Sequence, residues 1–455
     1  MNRFGNKIRT GALLCASTTM VITTGCSMSP AQYVENGNKA FDSGKYAEAQ
    51  IDYQKAIQKD PSLGEAYFRL GKLQLRQADA AGAFNNLSTA IQLLPTREDV
   101  AVTLADACLA AYLQNHRSAN YYDQLLSVTA RLTKSNPGSY DALRLNGYIK
   151  MIDRNYPEAV DALKKANAVK PMQQDGVHAL VQCLIQNNQG PEAEQEGLAL
   201  IREKKTFSPM YDTLYRYYER GGRLGDGEAI LKAKVANNPT NPQYRLELAA
   251  HYARTQNPAA MAAVIKELRD TQKFPNALME IGNFYVAVNR PDDALREFEA
   301  GAKEDPKRKA DYQKRTAEVL LSEGKKDEAL VLIDAILKER PTDFETRVMR
   351  AGINVDSGDQ GRLSTGMAEL ETLVKEKPTD ATTRFNLGKA RLRSGDENGA
   401  LTDFKEALRL DPQLMQARVL AANTSLQTQD FAAAGRYADE ILEVASDNPL
   451  ARLLK

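Results

Sequence analysis

Residues 33–61 read YVENGNKAFDSGKYAEAQIDYQKAIQKDP, and the way this stretch ends and starts again decides the fold. Pro61 and Pro95 are 34 residues apart, as are Pro137 and Pro171 and again Pro378 and Pro412, while Pro171 and Pro239 are 68 apart. Each follows a helix-like segment, often directly behind an acid or amide, as at Asp60, Asn136, Asp305 and Asp411. Proline cannot continue a helix and pushes the residue before it out of the α region, so these dipeptides are helix stops. A fixed interval of this size means a repeated supersecondary unit.

Numbering each interval so that its proline is place 32 puts Tyr33 at 4, Gly37 at 8, Gly44 at 15, Ala49 at 20, Tyr53 at 24 and Ala56 at 27. The same places hold Tyr67, Gly71, Ala78, Ala83, Leu87 and Ala90 ahead of Pro95. Ahead of Pro171 they hold Leu143, Gly147, Arg154, Ala159, Leu163 and Ala166. Gly282 with Phe298 and Gly388 with Phe404 repeat the pairing of place 8 with place 24 farther along. Places 4, 7 and 11 recur at helical spacing and predict the apolar stripe of a first helix. A large residue at 24 and a small one at 27 make the matching stripe of a second helix, and small residues at 8 and 20 let the two approach. Glycine in the turn between them, as at Gly44, Gly324 and Gly395, adopts a left-handed backbone without steric cost.

These residues resemble the tetratricopeptide repeat, a helix–turn–helix unit of 34 residues, over about 30–449. The resemblance implies an all-α fold: a right-handed α-solenoid, or superhelix, of about twelve such units spanning 30–455, some of them degenerate. The chain has no Trp, and Tyr33, Tyr67, Leu143 and Leu278 fill the slot the family gives to it. Pro95 and Pro137 are 42 residues apart, which places eight extra residues in the third unit near QNHRSANYYDQ (114–124). A second insertion, DSGDQGRLSTG (356–366), lengthens the tenth unit, and the markers thin out in units five to seven. The closing DNPLARLLK (447–455) is either a short capping helix or the start of something longer. In this family the stacked first helices line a concave groove through places 2, 5, 9, 12 and 13 of each unit.

Composition and the N-terminus place the array in a compartment. Apolar residues make up 43% of the 455 and charged residues 26%, a balance typical of folded soluble protein. Arg3, Lys7 and Arg9 precede an apolar run from Ala12 to Ile22, the layout of a secretory signal over residues 1–25. Ala12 to Gly25 would span about 21 Å as a helix, short of a hydrocarbon core of about 30 Å. TTGC at 23–26 then resembles the site cut by lipoprotein signal peptidase, which makes Cys26 the expected lipid attachment and 26–29 a short tether. Ser27 fits delivery to the periplasmic face of an outer membrane. Without residues 1–25, 57 bases face 59 acids, so nothing drives binding to nucleic acid or an anionic bilayer. Cys108 and Cys183, 75 residues apart within apolar helical patterns, read as small buried hydrophobes in preference to a bridge.

Stretches that mimic catalytic motifs fall into the repeat. GGRLGDG (221–227) has no strand before it and sits where the sixth unit turns. LGK at 70–72 and 387–389 occupies places 7 to 9 both times, and DSGDQG (356–361) lacks the acid that closes a calcium loop. His116, His178 and His251 are scattered over separate units with no Cys near them. No catalytic residue, metal site or cofactor is expected, and no small-molecule substrate.

The groove is then the expected working surface. Its candidates are Phe41, Phe68, Lys72 and Arg76 in the first units, Arg144 and Tyr148 in the fourth, and Asp212, Arg216 and Arg220 within MYDTLYRYYERGGR (210–223). Tyr and Arg are the commonest interface anchors. The Lys and Asn clamp that grips a terminal carboxylate in some family members is missing, since Asn38 goes with Val34 and Asn283 with Met279. The resemblance implies a membrane-tethered, exported scaffold that binds proteins or peptides of the cell envelope, in envelope assembly or in exopolysaccharide export and secretion. The alternative is a regulatory or truncated part of an envelope enzyme whose catalytic domain is separate.

Overall fold

The computed structural model describes residues 28–114, 118–270, 272–445 and 447–453; the signal segment 1–25, Cys26 and His116 lie outside them. The chain packs as two compact units, the first ending at Tyr217 and the second beginning at Tyr218. Among the described residues all regular structure is helical.

The first unit holds the helices α1 (Pro30–Asp42), α2 (Tyr46–Lys59), α3 (Gly64–Arg76), α4 (Ala80–Leu93), α5 (Glu98–Gln114) and α6 (Ala119–Ser135). It continues with α7 (Tyr140–Ile152), α8 (Tyr156–Val169), α9 (Gln174–Gln186), α10 (Gly190–Glu203) and α11 (Ser208–Arg220), inside which the boundary falls. The second unit holds α12 (Leu224–Asn237), α13 (Pro242–Arg254), α14 (Pro258–Leu268), α15 (Ala277–Ala287), α16 (Pro291–Glu304), α17 (Lys309–Ser322) and α18 (Lys326–Glu339). It ends with α19 (Phe344–Val355), α20 (Gln360–Glu376), α21 (Ala381–Arg393), α22 (Glu397–Leu410), α23 (Met415–Gln427), α24 (Phe431–Val444) and α25 (Pro449–Leu453). In chain order α1 to α24 are the helices of the twelve expected repeats.

The helix stops work as the prolines require. Asp60, Leu94, Asn136, Lys170, Asn238, Asp305, Arg340, Lys377 and Asp411 each end a second helix outside the α region directly before a proline. Within each pair the close approach lies where place 8 meets place 24. A Cβ added to Gly37, Gly71 or Gly147 would stand 2.5 Å from Tyr53, Leu87 or Leu163, and all three large side chains are fully buried. Gly282 and Gly388 stand in the same way against Phe298 and Phe404 in the second unit.

The turns between paired helices hold a result that glycine spacing does not show. Place 15 is left-handed at Gly44, Gly222, Gly324, Gly358 and Gly395, but equally at Ala78, Arg154, Asn188, Gln256, Asn289 and Gln429, with φ of 54 to 62°. The next amide closes the helix end by reaching back five residues, as Lys45 N–H to the Ala40 carbonyl and Asp79 N–H to the Gln74 carbonyl, both 2.9 Å. That closure holds the turn even where a side chain makes the conformation costly.

First helices are buried on more than the single stripe that places 4, 7 and 11 predict. Ala66 and Leu73, at places 3 and 10, are buried because α3 packs on α2 as well as on α4. The insertions do not become loops alone. In the third repeat α5 and α6 are each 17 residues long, against 13 and 14 for α1 and α2, and in the tenth α20 is 17. Asp359, in the stretch with faint calcium-loop spacing, caps α20 by accepting from the Arg362 amide at 2.8 Å. Asp356 in the same stretch pairs with Lys389 and Arg393. Gly222 of GGRLGDG sits in a turn, and Gly225 and Gly227 lie within α12. Cys108 and Cys183 are free and buried, their thiols pushed up to about 12 by burial. At the end α25 buries Ala451 beside Ile441 of α24.

Candidate functional site

Groove places meet the helices packed around each first helix, so their chemistry is set in part by those neighbours. In the first unit this consumes several sequence candidates. Phe68 is only 3% exposed: it packs in the core shared by α4 and α5, with the Arg97 guanidinium 5.0 Å and the Lys72 ammonium 5.5 Å from its ring. It is therefore a core residue and not a presented anchor. Arg144 is 8% exposed and committed, its Nη1 donating to Asp106 of α5 at 2.8 Å and its Nη2 to Asp141 at 3.3 Å. The same guanidinium lies 5.9 and 5.6 Å from the Tyr140 and Tyr148 rings, and burial pushes the Tyr148 hydroxyl well above its ordinary value. At place 5, then, Arg144 ties α7 to the earlier first helix α5 and Phe68 joins the core, which is why both residues are covered.

Phe41 is half-buried with its ring 5.6 Å from Tyr46, while Lys72 and Arg76 are exposed. On α11, Asp212 is half-buried and Arg216 and Arg220 are exposed; Tyr211 and Tyr218 of the same helix are buried. The structure brings Phe68 to Lys72 and Arg144 to Tyr148. Around Arg144 lies a polar pocket of about 510 Å3 lined by Asp106, Tyr140, Asp141, Asp175 and Lys204. Its central base is already neutralised by two acids.

The second unit holds a different concavity, a trough of about 800 Å3 along α13 and α15. Gln243, Leu246, Ala250, Ala253 and Arg254 line it from places 2, 5, 9, 12 and 13 of the seventh repeat, with Asn283, Phe284, Ala287 and Val288 opposite. Small residues at 9 and 12 leave room above Leu246 and Phe284, so the floor is apolar. The polar groups at its edges are mostly committed. Glu247 accepts from the buried Lys234 ammonium at 2.5 Å, and Arg254 pairs with Glu219. Asn283 Oδ1 accepts two bonds from Arg315 of α17, at 3.1 and 2.9 Å. Glu280 differs: its Oε2 is buried with no hydrogen-bond partner among the described residues, and burial raises its carboxyl above the ordinary value.

Sequence reasoning passed over this trough because the seventh repeat lacks the marker glycines, carrying Ala249 at place 8 and Gln256 at the turn. The signal that could have found it is the pair of alanines, Ala250 and Ala253, at groove places where most other repeats carry larger side chains. Among the described residues, no three His, Cys, Asp or Glu gather to hold a metal, and no helix is long and apolar enough to cross a membrane.

The family model described as TPR repeat matches residues 37–77, and that described as Tetratricopeptide repeat matches 279–344, 358–414 and 385–450. No curated protein matches the chain. Among solved structures it is similar to yeast Tom70, at 16% identity over 91% of this chain and 99% of that one, with a TM-score of 0.38. It is also similar to the APC/C hetero-tetramer Cut9-Hcn1, at 14% identity over 93% and 90%, TM-score 0.37. A thermophilic TPR protein of Thermus thermophilus aligns at 19% identity over 49% and 98%, TM-score 0.32. Scores this low carry no argument about function. The stretches matched in both units, built on helix pairs that close through place 8 against place 24, are tetratricopeptide repeats.

Proposed function

We propose that this protein is an exported, lipid-tethered scaffold that holds a segment of a partner protein in the trough along α13 and α15. Tetratricopeptide repeats are protein–protein interaction scaffolds, which supports the general reading. The observation that carries the specific one is the trough itself: an apolar floor at groove places, open because Ala250 and Ala253 are small. Apolar concavities with a few placed polar groups are the usual form of a binding site. The tether rests on TTGC and the apolar run before it, and Cys26 would take the lipid. Attachment there would hold the array at a bilayer, on the periplasmic face of an outer membrane in a host that has one, where its partners would be proteins of envelope assembly, exopolysaccharide export or secretion.

Two experiments test this reading. Cys26→Ala should move the protein from the membrane to the soluble fraction, with loss of the lipid mass on the N-terminal peptide. A photo-crosslinker at Ala250 or Ala287 should give a discrete adduct in intact cells that one at the exposed Val331 does not. Identical adduct patterns at all three positions would sink the trough as the binding surface.

A further inference from the structure

One charge in the trough is left over. Of its charged lining residues, Glu247 is held by Lys234 and Arg254 by Glu219, whereas Glu280 meets no base among the described residues. An ionised carboxylate half-removed from water without a partner is costly, and that cost is relieved when a cation is brought to it. The floor around it, formed by Leu246, Ala250 and Phe284, offers apolar surface and no hydrogen-bonding side chain. Charge complementarity and apolar walls together select one class of occupant. We propose that the trough takes an apolar peptide segment of a partner protein carrying a single lysine or arginine, whose cationic group pairs with Glu280. This rests on the reading of the trough as a protein-binding surface and names the chemistry of what enters it.

The probes are short acetylated, amidated leucine–alanine peptides that differ only at one central residue: lysine, norleucine or glutamate. Their binding to the full-length Cys26→Ala chain is read by fluorescence anisotropy. The lysine peptide should bind about tenfold more tightly than the norleucine peptide, the expected size for one partly desolvated charge pair. Glu280→Gln should abolish that ratio by weakening only the lysine peptide, and Glu280→Lys should favour the glutamate peptide instead. Thermal melting of each variant reports whether the fold is kept. Ala250→Trp, which fills the trough, should abolish binding of all three.

Equal binding of the lysine and norleucine peptides, both lost in Ala250→Trp, would overturn the basic anchor while leaving the trough as a binding surface. Binding that Ala250→Trp does not affect, or no binding by any peptide, would overturn both. Self-association of the chain that Ala250→Trp dissolves would place a second copy in the trough and overturn the proposal as well.

Discussion

The pocket around Arg144 and the trough around Glu280 are built from the same face of the same kind of helix, in separate units. In the first, Arg144 pairs with Asp106 and Asp141 and lies near the Tyr140 and Tyr148 rings, so its charge is spent inside the protein. In the second, alanines stand at places 9 and 12, and of the two acids lining the space Glu247 is held by Lys234 while Glu280 has no partner among the described residues. A polar groove that neutralises itself acts as a seam between repeats. A groove with an apolar floor and an unmatched charge has something left to bind. The repeat decides where these side chains stand, and the residues at a few free places decide whether they hold the array together or face outward.

What should be equal in the two regions is the scaffold beneath them. Leu163→Ala under the first and Phe298→Ala under the second each empty a buried place 24, and each should cost about 3 kcal/mol by urea denaturation. A large difference between them would show that the regions do not rest on the same packing. Arg144→Leu should cost about 2 kcal/mol, since it strands two acids that are themselves about one-third exposed. Glu280→Gln should cost nothing, and loss of stability there would mean that the carboxylate is structural after all. Ala250→Trp should stay within about 0.5 kcal/mol of the parent, because the added ring enters open space.

The smallest effects lie in the pH dependence. Burial raises the carboxyl of Glu280, so its ionised form opposes folding, and the parent chain should close its gap to Glu280→Gln as the pH falls through that raised value. His178 and His251 act with the opposite sign: burial lowers both from 6.5, so the unfolded chain takes up their protons first. Their share of stability is whole above about 6.5 and is lost as the pH drops below it. Melting of the parent, Glu280→Gln and His178→Gln between pH 7.5 and 5 checks both signs.

The architecture was legible because its causes are local and repeated. Pro61 and Pro95 stop helices by covalent geometry, and Gly71 against Leu87 is a steric requirement that returns in Gly147 against Leu163 and Gly388 against Phe404. Other features were not legible. Ala78 and Arg154 take left-handed turns because the closing amide of the next helix holds them, not because they prefer that backbone. Phe68 and Arg144 occupy groove places, yet neighbouring helices cover them, and sequence spacing within one repeat says nothing about what the next repeat brings. The trough escaped notice for the same reason: its space is made by residues that are small, and a small residue signals only in the company of what faces it.

The sequence by itself therefore determined the helix pairs, their stops, their close contacts and their number, since each follows from residues within one interval of 34. Tertiary structure alone decided which groove residues are spent and which remain available. That depends on whether a side chain from the adjacent repeat, some 30 to 40 residues away in the chain, arrives with the matching charge, as Asp106 does for Arg144 and as no base among the described residues does for Glu280.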